Sequence, residues 1–132
     1  MELIALRLMQ LLDESRTKIQ RISVPLSHRD VDRIHEAKEI LLAEISDPPS
    51  IQELAGRIGI NTKKLKYGFR QIYGSTVFSY LRHIRLDTAR RKLQEEKISV
   101  TEAALYVGYN SLSHFSRIFK EEFGFAPSRL HQ

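Results

Sequence analysis

Two polar faces, 50 residues apart, carry the residue types in this chain that could do chemistry. On the first, Lys63, Lys66, Tyr67 and Arg70 lie opposite an apolar stripe of Leu65, Phe69 and Ile72 at helical spacing. No acid occurs between residues 57 and 85, so those cations have no carboxylate nearby in sequence. On the second, Ser113, Ser116, Arg117 and Lys120 lie opposite Phe115, Ile118, Phe119 and Phe123. Lysine and arginine donate to guanine edges and to phosphate, and serine hydroxyls bond to either. That mixture on the polar side of an amphipathic helix is the chemistry of a DNA-reading surface.

Catalysis has little to build on. The chain has no cysteine, no glycine-rich phosphate loop and no H-E-x-x-H zinc signature. His28, His35, His83, His114 and His131 are scattered and read as surface or packing residues. His28 and His35 could share one helix face, but no carboxylate is spaced to complete a ligand set. No metal, no cofactor and no enzyme activity is therefore expected. Glu121-Glu122 reads as a solvated helix face.

The elements that position the two faces repeat. Ser99 and Glu102 form an S-x-x-E capping box, Ala103, Ala104 and Val107 supply a small apolar face, and Gly108 ends the helix in a left-handed turn. At an offset of 49, Ser50, Glu53, Ala55 and Gly59 fall on Ser99, Glu102, Ala104 and Gly108. The second turn then holds one added residue. At an offset of 50, Leu65, Phe69, Arg70 and Gly74 fall on Phe115, Phe119, Lys120 and Gly124. Two helix-turn-helix units are expected, over about 50–74 and 99–124.

A helix over 62–73 with Asn61 as N-cap is expected in the first unit, with Gly68 on its packed side, where close helix crossing is preferred to close approach to DNA. A long helix over about 76–94 joins the units. Val77, Leu81, Ile84, Leu86, Ala89 and Leu93 are its apolar positions, and Arg82, Arg85, Arg90, Arg91 and Lys92 its cations. Upstream, Ser27 with Asp30 opens a helix that buries Val31, Ile34, Ala37, Leu41 and Ile45 and is stopped by Asp47-Pro48-Pro49. Residues 2–19 read as an extra amphipathic helix, either packed on this domain or closing a missing upstream sensor or dimerisation domain, and 20–26 as a linker. The expected organisation is thus an N-terminal helix and linker over 1–26 and a DNA-binding domain over 27–132, ending in a short helical turn from Pro127. The fold class is all-α.

Charge is distributed unevenly. Residues 1–45 hold 7 Lys/Arg against 8 Asp/Glu, and residues 46–132 hold 14 against 8, so the basic excess lies with the repeats. A polyanionic partner fits. No apolar run is long enough for a membrane span, no signal peptide is evident, and the lack of cysteine fits a reducing cytoplasm.

These residues resemble the DNA-binding domain of the AraC/XylS family of bacterial transcription regulators. The matching positions are Ala55, Gly59, Leu65, Phe69, Arg70 and Gly74 in the first unit, and Arg85, Leu86, Ala89 and Leu93 in the joining helix. In the second unit they are Ala104, Val107, Gly108, Tyr109, Phe115, Ser116, Arg117, Phe119, Lys120 and Gly124, followed by Pro127 and Ser128. The run TKKLKYGFR followed by GSTVFSYL looks most like the siderophore-responsive regulators of the pyochelin type. The resemblance implies a seven-helix, bilobed domain that sets two recognition helices in successive major grooves. It places base reading at Thr62, Lys63, Lys66 and Tyr67 and at Leu112, Ser113, Ser116 and Arg117. Ser50, Lys64, Arg70, Ser99 and Lys120 are then expected at phosphates, Ser50 and Ser99 through helix N-termini. It also implies duplex DNA as partner, with RNA polymerase contact in activation, and dimerisation through the N-terminal helix or an upstream domain. An effector site is expected only upstream, and small single-domain members of the family also exist.

The chain departs from the family at two places. Asn110 and Ser111 stand where many members carry an aspartate, which leaves no carboxylate there to pair with Arg85, and His114 stands where an aromatic is commoner. The alternative reading is a helical module whose basic face docks an acidic protein partner, such as a polymerase subunit.

Overall fold

The computed structural model describes residues 25–130; the helix expected over 2–19 and most of the linker lie outside them. Six α-helices follow in order: α1 His28–Ala43, α2 Ile51–Ile58, α3 Thr62–Tyr73, α4 Val77–Glu95, α5 Val100–Tyr106 and α6 Leu112–Phe123. A 3-10 turn, Pro127–Arg129, completes the chain where a short helical turn was expected. No strand occurs among the described residues, so the fold is all-α.

The repeat seen in the sequence recurs in the backbone. α5 begins 49 residues after α2, and α6 begins 50 after α3. Gly59 and Gly108 both take positive φ, +76° and +101°. After each, the next residue donates back to the same place: Ile60 N–H to the Ala55 carbonyl at 3.1 Å, and Tyr109 N–H to that of Ala104 at 2.9 Å. The extra residue is Asn110, inserted before the cap. Asn61 accepts from Lys64 N–H at 2.7 Å, and Ser111 accepts from His114 N–H at 3.2 Å. Each recognition helix therefore starts with one of its orphan donors satisfied by a side chain.

The chain forms two compact units. Among the described residues, the first comprises those up to Ala37 together with Ile51–Val77, and the second comprises Lys38–Ser50 and those from Phe78 onward.

In the first unit Ile34, Leu54, Ile58, Leu65, Phe69 and Val77 are buried. Burying side chains of this size stabilises by about 1.5–3 kcal/mol each before chain entropy opposes it. Gly68 is there for packing, as expected: a Cβ on it would stand 3.0 Å from Ile34 Cδ1 and 3.3 Å from Leu26 Cδ2. α1 opens with a reciprocal box, Asp30 N–H to Ser27 Oγ at 3.1 Å and Ser27 N–H to Asp30 Oδ2 at 3.0 Å.

In the second unit Leu86, Ala89 and Leu93 of α4 meet Ala103, Ala104 and Val107 of the α5 region and Phe115, Ile118 and Phe119 of α6. The rings of Phe119 and Phe123 lie 4.6 Å apart, and Phe125 adds an edge contact at 5.9 Å. α1 stops at Ala43, before the Asp-Pro-Pro run expected to stop it. The residue before a proline is kept out of helical conformation, and Asp47 N–H instead donates to the Glu44 carbonyl at 3.1 Å in a tightened turn. This leaves the Ile45 carbonyl open, and Arg85 Nε donates to it at 2.9 Å. The Arg85 guanidinium also lies over the Tyr109 ring, 5.2 Å from its centroid. A backbone carbonyl and an aromatic face thus hold Arg85 where the sequence offers no acid. Gly108 is pressed against the same group: a Cβ on it would lie 2.6 Å from the Ser46 carbonyl oxygen and 2.7 Å from Arg85 Nη2.

Candidate nucleic-acid interface

On α3 the positions 63, 66, 67 and 70 fall on the side opposite Leu65 and Phe69, which are fully buried, and Thr62 stands at the helix start beside the buried stripe. Lys63, Lys66 and Arg70 are exposed; Thr62 and Tyr67 are half-buried. The Tyr67 hydroxyl is turned inward and, among the described residues, has no hydrogen-bond partner. Its ring, rather than its hydroxyl, is what it could offer a ligand. Lys64, expected at a phosphate, already has a partner: its ammonium lies 3.3 Å from Asp30 Oδ2, the carboxylate of the α1 cap. The Ser27 N–H hydrogen bond, with further help from Lys64, holds the Asp30 carboxyl below its ordinary range.

On α6 the positions 112, 113, 116, 117 and 120 repeat that pattern 50 residues on. Leu112, Ser113, Arg117 and Lys120 are exposed and Ser116 is half-buried. Arg117 is held from two sides. Its Nη2 donates to His114 Nδ1 at 3.0 Å, and Nη1 lies 3.8 Å from Glu121 Oε1. Glu121 and Glu122 are exposed, as expected of a solvated face, and they are also paired: Arg82 Nη2 donates to Glu121 at 3.1 Å, and His83 Nδ1 to Glu122 at 2.9 Å. No local signal could have paired residues 39 apart; the Arg117–Glu121 spacing of four was readable.

Of the phosphate positions expected at helix starts, Ser99 is engaged in a cap. The Ser99 hydroxyl accepts Glu102 N–H at 3.0 Å while the Glu102 carboxylate accepts Ser99 N–H at 3.2 Å, completing the expected box. That box sets a carboxylate beside the start of α5, which opposes an approaching phosphate. Ser50 is exposed ahead of α2.

The long basic helix is less basic than its composition. Arg82 pairs with Glu121, Arg90 and Arg91 with Asp87, and Lys92 with Glu96. The Arg90 guanidinium is the main reason the Asp87 carboxyl is held below its usual range. By contrast, Lys63, Lys66 and Arg70 have no carboxylate partner among the described residues. No helix among the described residues is long and apolar enough to cross a membrane, and no group of three or more potential ligands there could hold a metal ion.

Two capped helix-turn-helix units, each with an exposed polar face on its second helix, define a DNA-binding class of protein. A family model described as "Helix-turn-helix domain" matches residues 54–132, and the chain belongs to the AraC-type family of helix-turn-helix transcriptional regulators. That family consists of regulators and not of enzymes. The regulatory protein PchR of Pseudomonas aeruginosa is 44% identical over 71 residues, which span 54% of this chain but only 24% of PchR. A crystal structure of an AraC-type transcriptional regulator from Chromobacterium violaceum matches 76% of this chain and 89% of its own, at 28% identity and a TM-score of 0.71. The DNA-binding domain of AdpA, solved in complex with a target DNA, shares the fold over 75% of this chain and 89% of its own, with a TM-score of 0.69 at 23% identity.

Proposed function

We propose that this chain binds double-stranded DNA sequence-specifically through both helix-turn-helix units and thereby regulates transcription in the bacterial cytoplasm. One observation carries the reading: the same capped helix with polar or exposed residues at five equivalent positions occurs twice, at 62, 63, 66, 67, 70 and at 112, 113, 116, 117, 120. Lys63 and Lys66 suit guanine edges, as does Arg117. Leu112 and the ring of Tyr67 suit thymine methyls, and Thr62, Ser113 and Ser116 suit either base or phosphate. Arg70 and Lys120, one turn further along, suit phosphate; Ser50 adds backbone donors at a helix start, Ser99 does so only against the Glu102 carboxylate of its cap, and Lys64 joins them only when it leaves Asp30.

The narrower resemblance to pyochelin-type regulators and the 44% identity with PchR support iron and siderophore uptake genes as targets. Activation would require contact with RNA polymerase as well, and dimerisation would fall to residues 1–26 or a domain before them.

A selection of genomic fragments by this chain at two salt concentrations, read by sequencing, tests the proposal. The expected result is enrichment of fragments bearing two short motifs about 34 Å apart, one turn of duplex. Enrichment of a single motif would reduce one unit to a backbone clamp. No enrichment at either salt would overturn DNA reading in favour of an acidic protein partner.

A further inference from the structure

On the reading that both units contact DNA, we infer that they divide the work: α3 supplies the salt-dependent affinity, and α6 adds discrimination with little charge, with Glu121 as its specificity-determining residue. The two helices present the same positions but different electrostatics, α3 with four cations and no acid and α6 with two of each. α3 carries Lys63, Lys64, Lys66 and Arg70 and no acid. Of these, only Lys64 has a carboxylate partner among the described residues, at 3.3 Å. Each exposed cation of this kind that neutralises a phosphate releases counterions and adds to the salt dependence of binding.

α6 carries Arg117 and Lys120 against Glu121 and Glu122. A phosphate approaching Arg117 also meets the Glu121 carboxylate, 3.8 Å from Nη1 and well within one Debye length, about 8–10 Å. That repulsion offsets part of the attraction, so a backbone contact through Arg117 gains less than one through the cations of α3. A base edge differs. It carries no net charge, and its acceptors need directed donors rather than a field. Arg117 has donors to spare: its fork is steadied by His114 at 3.0 Å and Glu121 at 3.8 Å, and the remaining N–H groups are free for a guanine. Glu121 faces Arg117 with Oε1, while Arg82 Nη2 lies 3.1 Å from its other oxygen, Oε2. The carboxylate thus does two things: it orients the reading arginine, and it makes non-cognate backbone binding by this unit less rewarding.

The test is anisotropy titration of a selected duplex and a scrambled one across salt, with circular dichroism on every variant. A Lys63→Gln, Lys66→Gln, Arg70→Gln triple variant should lower the slope of log K against log salt by about 2 or more, at about 0.9 per phosphate lost. Arg117→Gln should leave the slope within about one contact and lower the preference for the selected duplex by roughly tenfold or more. Glu121→Gln should tighten the scrambled duplex more than the selected one, whereas Arg82→Gln, which breaks the same ion pair but keeps the carboxylate, should not. An unchanged slope in the triple variant, or a relaxed preference in Arg82→Gln equal to that in Glu121→Gln, would overturn the inference. A wild-type chain that does not prefer the selected duplex would instead overturn DNA reading itself.

Discussion

Gly59 and Gly108 hold equivalent places in the two turns, yet replacing each by alanine should have very different consequences. At Gly59 the alanine Cβ meets nothing within 4 Å, so the penalty is that of placing an L-residue at φ +76°. That amounts to about 1–2 kcal/mol, partly offset by the less flexible unfolded chain. At Gly108 the φ of +101° lies further outside the left-handed well, and the Cβ would sit 2.6 Å from the Ser46 carbonyl oxygen and 2.7 Å from Arg85 Nη2. Ser46 is backbone just before the Asp-Pro-Pro run and has little room to shift. Displacing Arg85 would weaken its bond to the Ile45 carbonyl, and hydrogen bonds from charged donors are worth about 1.5–3 kcal/mol. Together these place Gly108→Ala at about 3–5 kcal/mol, a large part of a typical domain stability of about 5–15 kcal/mol. For a chain of this size the difference between the variants corresponds to a gap in melting temperature on the order of 10 °C. Urea titration followed by circular dichroism measures the stabilities, and hydrogen exchange localises the loss, which should begin in residues 78–130 for Gly108→Ala and in the first unit for Gly59→Ala. Equal destabilisation by the two alanines would refute this account of the second turn. So would an Arg85→Met background in which the Gly108→Ala penalty did not shrink.

Two further outcomes follow from side chains in the first unit and from the paired aspartates. Tyr67→Phe removes a hydroxyl that is buried without a partner, so it should stabilise the fold by about 1 kcal/mol and leave DNA discrimination unchanged; a loss of discrimination in binding titrations would show that the hydroxyl turns outward to read a base. Asp30 and Asp87 both have folded-state pKa values below the ordinary 3.8, so their stabilisation is present above that value and declines as pH falls through the lower folded-state values. Urea midpoints measured against pH should therefore drop on the acid side, and Asp30→Asn should flatten part of that drop; a flattening confined to the alkaline side would contradict the assignment.

Much of the architecture was legible because its causes are local. The caps at Asn61 and Ser99, the apolar spacing of Leu65 with Phe69 and of Phe115 with Phe119, and the turn glycines each act within one or two helical turns. They located α3 to the residue. Where the sequence was less informative, the deciding partner lay far along the chain. Arg85 was known only as an arginine without its acid; that it takes the Ile45 carbonyl depends on where α1 unwinds. The partners of Glu121 and Glu122 were not legible because Arg82 and His83 stand 39 residues earlier. Lys64 looked like a free cation because Asp30 reaches it only once α1 is in place. Composition also overstated α4, whose cations are largely paired within the fold, and for Tyr67 it could not say which end of the side chain faces water.

The second unit is assembled from two stretches of chain, and the first unit's α2 and α3 lie between them in sequence. Residues 38–50, the last part of α1 and the segment after it, supply the Ile45 carbonyl that Arg85 takes and the Ser46 carbonyl that crowds Gly108, and the chain then enters α2. A single cut therefore cannot divide this protein into two self-sufficient readers. Cleaving anywhere from 51 to 77 and discarding the N-terminal piece would strand the Arg85 guanidinium and unseal the turn before α6. The second helix-turn-helix is thus not a detachable cassette: shuffled alone into another gene, it would arrive without the thirteen-residue strap that closes it.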